Sequence, residues 1–169
     1  MRKVFYISGV FFILSNFTFC QSPFQKIVDV SDFTGDTTIT YIDNMDLQGE
    51  LSVPRDVNGE IVGIVEFKLS SEEKLLNLVV DIFSDSEIQE LISSQSYLKT
   101  ISTPNGKILS ASFAFVNKEP DVPLNKLVKL SDMIKEEFTL HAEFERDVVD
   151  EGYVRCTYWL FIQLSEFIE

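Results

Sequence analysis

The segment Glu60–Val116 constrains this chain most, because strand-length apolar runs alternate there with residues that turn a backbone. In Ile61–Leu69 the apolar Ile61, Val65, Phe67 and Leu69 are set against Glu66 and Lys68. Successive side chains of a strand point to opposite faces, so this run reads as a half-buried strand, with Gly63 a place for a bulge. Polar Ser70–Lys74 breaks it, and Leu76, Leu78, Val80 and Ile82 repeat the two-residue period. Two such runs joined by a short polar link predict an antiparallel pair.

Ser84-Asp85-Ser86-Glu87 follows, a serine with glutamate three residues later, which is the capping-box pattern for a helix start. Asp85 and Glu87 also suit the positive end of the helix dipole. Ile88, Leu91, Ile92 and Leu98 then fall on one helical stripe. Thr103-Pro104-Asn105-Gly106 is a turn, since Pro presets its φ and Asn-Gly tolerates positive φ. Leu109, Ala111, Phe113 and Phe115 make a further strand, with Ser110 and Ser112 facing outward.

The expected order over residues 60–116 is β-β-α-β, which resembles the C-terminal domain of the TonB family. The resemblance is carried by Gly63-Ile64-Val65-Glu66-Phe67, by Asn77-Leu78-Val79-Val80, by the helix entry Ser84–Leu91 and by Asn105-Gly106-Lys107-Ile108. It implies a TonB-C-like core in a periplasmic domain that touches other envelope proteins, without the rest of the energy transducer.

At the chain start Arg2-Lys3 precedes an apolar run from Val4 to Leu14, then the more polar Ser15–Thr18. A basic end, a short apolar segment and a small-residue exit predict a signal peptide over residues 1–20. The run falls short of the ~20 apolar residues a membrane span needs. Cleavage after Cys20 leaves Gln21 first and the product periplasmic or extracellular; the alternative is a lipoprotein anchored at Cys20. Either way Cys156 has no partner for a disulfide within residues 21–169.

Those residues fit a single domain. The formal charge of −13 argues against binding to phosphate backbones, and no basic stretch interleaved with aromatics offsets it. Ahead of Glu60, strands are expected within Phe24–Phe33, over Thr37–Ile42 and over Gly49–Val53, with turns at Asp43–Asp46 and Asn58-Gly59. After Val116, Leu124, Leu127, Val128, Ile134 and Phe138 suit a helix; Ser131-Asp132 offers the alternative of a strand and a shorter helix. A β-hairpin over residues 138–164 is expected next, with Phe138, Leu140, Ala142 and Phe144 on one face of its first arm. In its second arm Val154, Cys156, Tyr158, Leu160, Ile162 and Leu164 oppose Tyr153, Arg155, Thr157, Trp159, Phe161 and Gln163. The fold class is α+β, a mostly antiparallel sheet of hairpins with one or two helices on one face.

Motif chemistry points away from catalysis. There is no G-x-S-x-G, phosphate-cradling glycine loop or H-E-x-x-H. The single histidine, His141, sits on a polar strand face beside Glu143, and the carboxylates Glu143, Glu145, Asp147, Asp150 and Glu151 read as a solvated turn. No catalytic, cofactor-binding or metal-ligating residue is assigned and no cofactor is expected. The function expected is an exported, non-catalytic protein-interaction module with an envelope protein as partner, meeting it through Tyr153, Trp159 and Phe161. The alternative is a carrier of an apolar small molecule or lipid, in a void ringed by Phe113, Phe115, Phe138 and Phe144.

Overall fold

The computed structural model describes residues 23–168; the expected signal peptide and Cys20 lie outside the described residues. The chain is α+β. Strand β1 (Gln25–Val30) pairs antiparallel with β2 (Thr37–Ile42) across a turn in which Gly35 takes φ +78°. Asp43–Asp46, expected as a plain turn, instead begins helix α1 (Met45–Gly49), because the Asn44 side chain accepts from the Leu47 amide and caps it. The strand expected over Gly49–Val53 does not form. Its backbone is held by a side chain instead, since Arg155 donates to the carbonyls of Leu47 and Glu50.

Strand β3 (Ile64–Leu69) follows, and then helix α2 (Glu72–Ile82) where the second strand was expected. Leu76, Leu78 and Ile82 satisfy a period of two and a helical stripe alike, but Leu75 and Val79 complete only the helical one, and all five are buried. Val80, which the strand reading placed with them, is 39% exposed. Ser71 accepts from the Lys74 amide and caps the helix, and Glu72 and Glu73 suit the positive end of its dipole. Helix α3 (Asp85–Ser93) starts at the expected capping box, with Ser84 and Glu87 each serving the other's backbone. Leu98 belongs not to this helix but to strand β4 (Tyr97–Ser102), which turns through Thr103–Gly106 into β5 (Ile108–Val116). Residues 60–116 therefore run β3, α2, α3, β4, β5.

Helix α4 (Leu124–Glu137) is continuous through Ser131, whose hydroxyl is buried and donates to the Ala111 carbonyl rather than capping a new helix. Strands β6 (Leu140–Phe144) and β7 (Val154–Tyr158) do not pair with each other, so the expected hairpin over 138–164 is absent. The intervening loop is clipped to residues 52–55, with the amides of Val149 and Tyr153 donating to the carbonyls of Arg55 and Ser52. That detour sends β7 to a different sheet. Past Tyr158 the strand gives way to helix α5 (Leu160–Phe167), which buries Leu160 and Leu164 four residues apart.

Two sheets result. One has five strands in the order β1-β2-β5-β4-β7, and the other is a two-stranded ribbon, β3-β6. All strand pairs are antiparallel. Register places Leu98, Ala111, Phe113, Val154 and Cys156 on one face, where they join Leu75 and Val79 of α2, Ile88 and Leu91 of α3, Leu130 and Ile134 of α4, and Leu160 and Leu164 of α5 in one core. On the opposite face Ser110 and Ser112, expected outward, are buried. Both hydroxyls donate to Asp43, whose carboxylate also accepts the Ala111 amide at 3.1 Å and meets Lys135 Nζ at 3.3 Å.

Candidate functional site

The ribbon and the large sheet are joined at one end: Leu140 donates its amide to the Gly106 carbonyl, and Lys107 bridges to Thr139. Away from that junction a cleft of about 300 Å³ separates β3 from β7, one of the two outer strands of the large sheet. Its floor is the buried set Leu98, Thr100, Leu140 and Cys156, and its sides carry Phe67, Leu69, Tyr158 and Trp159. Lys68 and Glu72, both exposed, stand at its rim. Lys68 is already paired with Glu66 at 2.8 Å.

The interior is apolar but holds polar groups without partners. The Thr100 Oγ1 and Tyr158 Oη atoms are buried and make no hydrogen bond. Such groups are uncommon in folded proteins, because each forfeits its hydration without compensation. Burial, with the charge of Glu72 adding to it, pushes the Tyr158 hydroxyl up to about 12. Burial likewise pushes the Cys156 thiol up to about 11; the nearby Thr100 hydroxyl opposes this, though without hydrogen-bond geometry. A thiol held protonated in this way is a poor nucleophile at neutral pH.

Beside the cleft lies an aromatic cluster. Trp159 is 51% exposed, at the point where β7 ends and α5 begins. Its ring centroid is 4.8 Å from Tyr97 and 6.0 Å from Phe161, and Tyr97 and Phe161 stand 5.8 Å apart, edge to face. The start of α5 is fixed there by the Phe161 amide, which donates to the Ser96 carbonyl. Trp159 and Phe161 are thus brought together, but on a helix start rather than a strand face. Tyr153 precedes the other end of β7 against Ser52 and is not part of the cluster. Tyr97, Thr100 and Phe67 are the site residues that sequence reasoning missed. Tyr97 opens β4 shortly after α3 ends at Ser93, where the sequence reading carries the helical stripe on to Leu98.

His141 is exposed on the outer face of the ribbon, in a shallow groove with Glu66, Lys68 and Glu143. Its Nε2 lies 3.4 Å from Thr139 Oγ1, and the groove has no enclosing wall. Among the described residues no three histidine, cysteine or acidic side chains converge as a metal site, and no helix is long and apolar enough to cross a membrane. Phe113, Phe115 and Phe138 are packed in the core with Phe144 against it, and none of them lines the cleft.

No known family model matches this chain, and no curated protein does. Among solved structures, a DUF5043 family protein from Bacteroides uniformis aligns with a TM-score of 0.55 at 18% identity, over 81% of this chain and 84% of that one. The two share a fold. The class defined by fold and site is an α+β protein whose helix-backed antiparallel sheet and flanking ribbon leave an apolar cleft with an aromatic border.

Proposed function

We propose that this chain is an exported, non-catalytic interaction module of the cell envelope, and that Tyr97, Trp159 and Phe161 form the face that meets a protein partner. The observation that carries this is the half-exposed Trp159 packed against two further aromatic rings, edge-on to Tyr97 and tilted to Phe161. Aromatic side chains bring large contact area at low entropic cost, and Trp and Tyr dominate the residues whose loss most weakens protein interfaces. A cluster of rings already fixed against each other gives up little freedom on docking. Export rests on the basic and apolar pattern of residues 1–20.

The test is capture from an envelope fraction by the full chain and by Trp159→Ala and Phe33→Ala variants, each checked for folding by circular dichroism. Trp159→Ala should weaken capture of the partner at least ~10-fold, while Phe33→Ala at the far hairpin leaves it unchanged. Loss confined to Phe33→Ala would move the docking surface to the β1 edge. Intact mass of the cell-derived protein separates a chain starting at Gln21 from one lipidated at Cys20.

A further inference from the structure

The cleft between β3 and β7 has the construction of a ligand site rather than of a packing fault. A fault is uniformly apolar and stays dry, whereas two residues lining this cleft, Thr100 and Tyr158, carry buried hydroxyls that make no hydrogen bond. Thr100 is only 4% exposed, so bulk water does not relieve its hydroxyl. Register puts Leu98, Thr100, Cys156 and Tyr158 on the same sheet face, Thr100 opposite Cys156 and Leu98 opposite Tyr158. Both unpartnered hydroxyls therefore stand on adjacent strands at the floor of one cleft. Each can donate one hydrogen bond and accept others, so together they suit an oxygen that does both.

We infer that this cleft binds a small, uncharged, mostly apolar molecule bearing a hydroxyl group, which Thr100 and Tyr158 engage while Phe67, Leu69, Leu98 and Trp159 enclose its body. Volume sets the size: about 300 Å³ lies at the small end of ligand pockets and excludes a long acyl chain. Charge sets the polarity. The floor offers only neutral hydroxyls and a protonated thiol, and burying an ion there without a counter-charge is costly. At the rim, Lys68 is neutralised by Glu66, so an anion finds no free cation among the lining side chains. The cleft shares Trp159 with the docking face, whose other members Tyr97 and Phe161 take no part in its lining.

The experiment titrates the full chain with 4-propylphenol, propylbenzene and 4-propylbenzoate, read by calorimetry and by emission of Trp159, the single tryptophan. One equivalent of 4-propylphenol should bind, propylbenzene about tenfold more weakly for want of the hydrogen bonds, and the carboxylate without saturation. Tyr158→Phe removes one hydroxyl and leaves the ring in place. It should bring 4-propylphenol close to the propylbenzene affinity and leave propylbenzene unchanged, and Thr100→Val serves as the second variant. Three equal affinities, no saturation by any probe, or an undiminished preference for the phenol in both variants would each overturn the assignment.

Discussion

The five-stranded sheet and the β3–β6 ribbon are both antiparallel, and both announce themselves in the sequence by alternation of apolar and polar residues. Their fates differ. In β5 nearly every side chain is buried, because helices cover one face and Asp43, reached from the end of β2, satisfies the serines on the other. In β3 almost nothing is buried: Val65 is 61% exposed and Phe67 44%. Alternation reports that a strand forms; what comes to lie on it is decided by the path of distant segments. The ribbon was passed over by the helices, and an apolar wall was left facing a cleft. Two of the buried hydroxyls without a partner, those of Thr100 and Tyr158, line that cleft.

Mutations that treat the two regions alike in chemistry should separate them in energy. The widest gap is expected between Phe115→Ala, in the fully buried sheet core, and Phe67→Ala in the ribbon. The first should cost ~3–5 kcal/mol and the second less than about 1 kcal/mol, measured by denaturant unfolding. Comparable losses at both positions would mean that the ribbon is as much a part of the core as β5. Next comes Asp43→Ala, expected to cost about 3 kcal/mol. Its 6%-exposed side chain accepts from the buried Ala111 amide and from the Ser110 and Ser112 hydroxyls, which would lose that acceptor, while Lys135 keeps its pair with Asp132. The matching change in the ribbon, Glu66→Ala, removes an exposed pair with Lys68 and should shift stability by no more than ~0.5 kcal/mol.

The junction itself is open to a sharper probe. Gly106 has φ +92°, and a Cβ there would lie 2.6 Å from the Leu140 carbonyl oxygen, so Gly106→Ala must displace the start of β6. A loss of about 2 kcal/mol is expected, against roughly 1 kcal/mol for Gly59→Ala, which has φ +81° but open space around it. The smallest effect should be the pH dependence carried by Cys156. Its thiol titrates higher folded than unfolded, so its contribution is intact below pH 9 and fades as the pH rises toward about 11, where the unfolded thiol ionises first. In Cys156→Ala this alkaline decline should flatten, as seen in midpoints measured at stepped pH.

Local chemistry was legible and path was not. Ser84 with Glu87, Thr103–Gly106 and Asn58-Gly59 act within a few residues of themselves, and each stands where the sequence placed it. The α2 stretch suits strand and helix alike, because Leu76, Leu78 and Ile82 fit both periods, and only the burial of Leu75 and Val79 against other elements chooses between them. Val154–Leu164 reads as one strand, alternating at first and apolar on both faces from Tyr158 to Ile162. It nevertheless divides at Trp159, where Phe161 finds the Ser96 carbonyl more than sixty residues back in the chain. Trp159 and Phe161 could be named in advance as large aromatics on a shared face, but not their meeting with Tyr97. The cleft had no sequence signal, since its lining is drawn from β3, α2, β4, β6, β7 and α5, elements far apart in the chain.

Amide hydrogen exchange, followed strand by strand with and without saturating 4-propylphenol, addresses the central claim most directly: that the ribbon is a lightly held wall of a binding cleft. The account predicts faster exchange in β3 than in β5 for the free protein, and slowing on ligand addition in β3 and β7 with none in β1. Equal protection of β3 and β5, or slowing confined to β1 and β2, would contradict it.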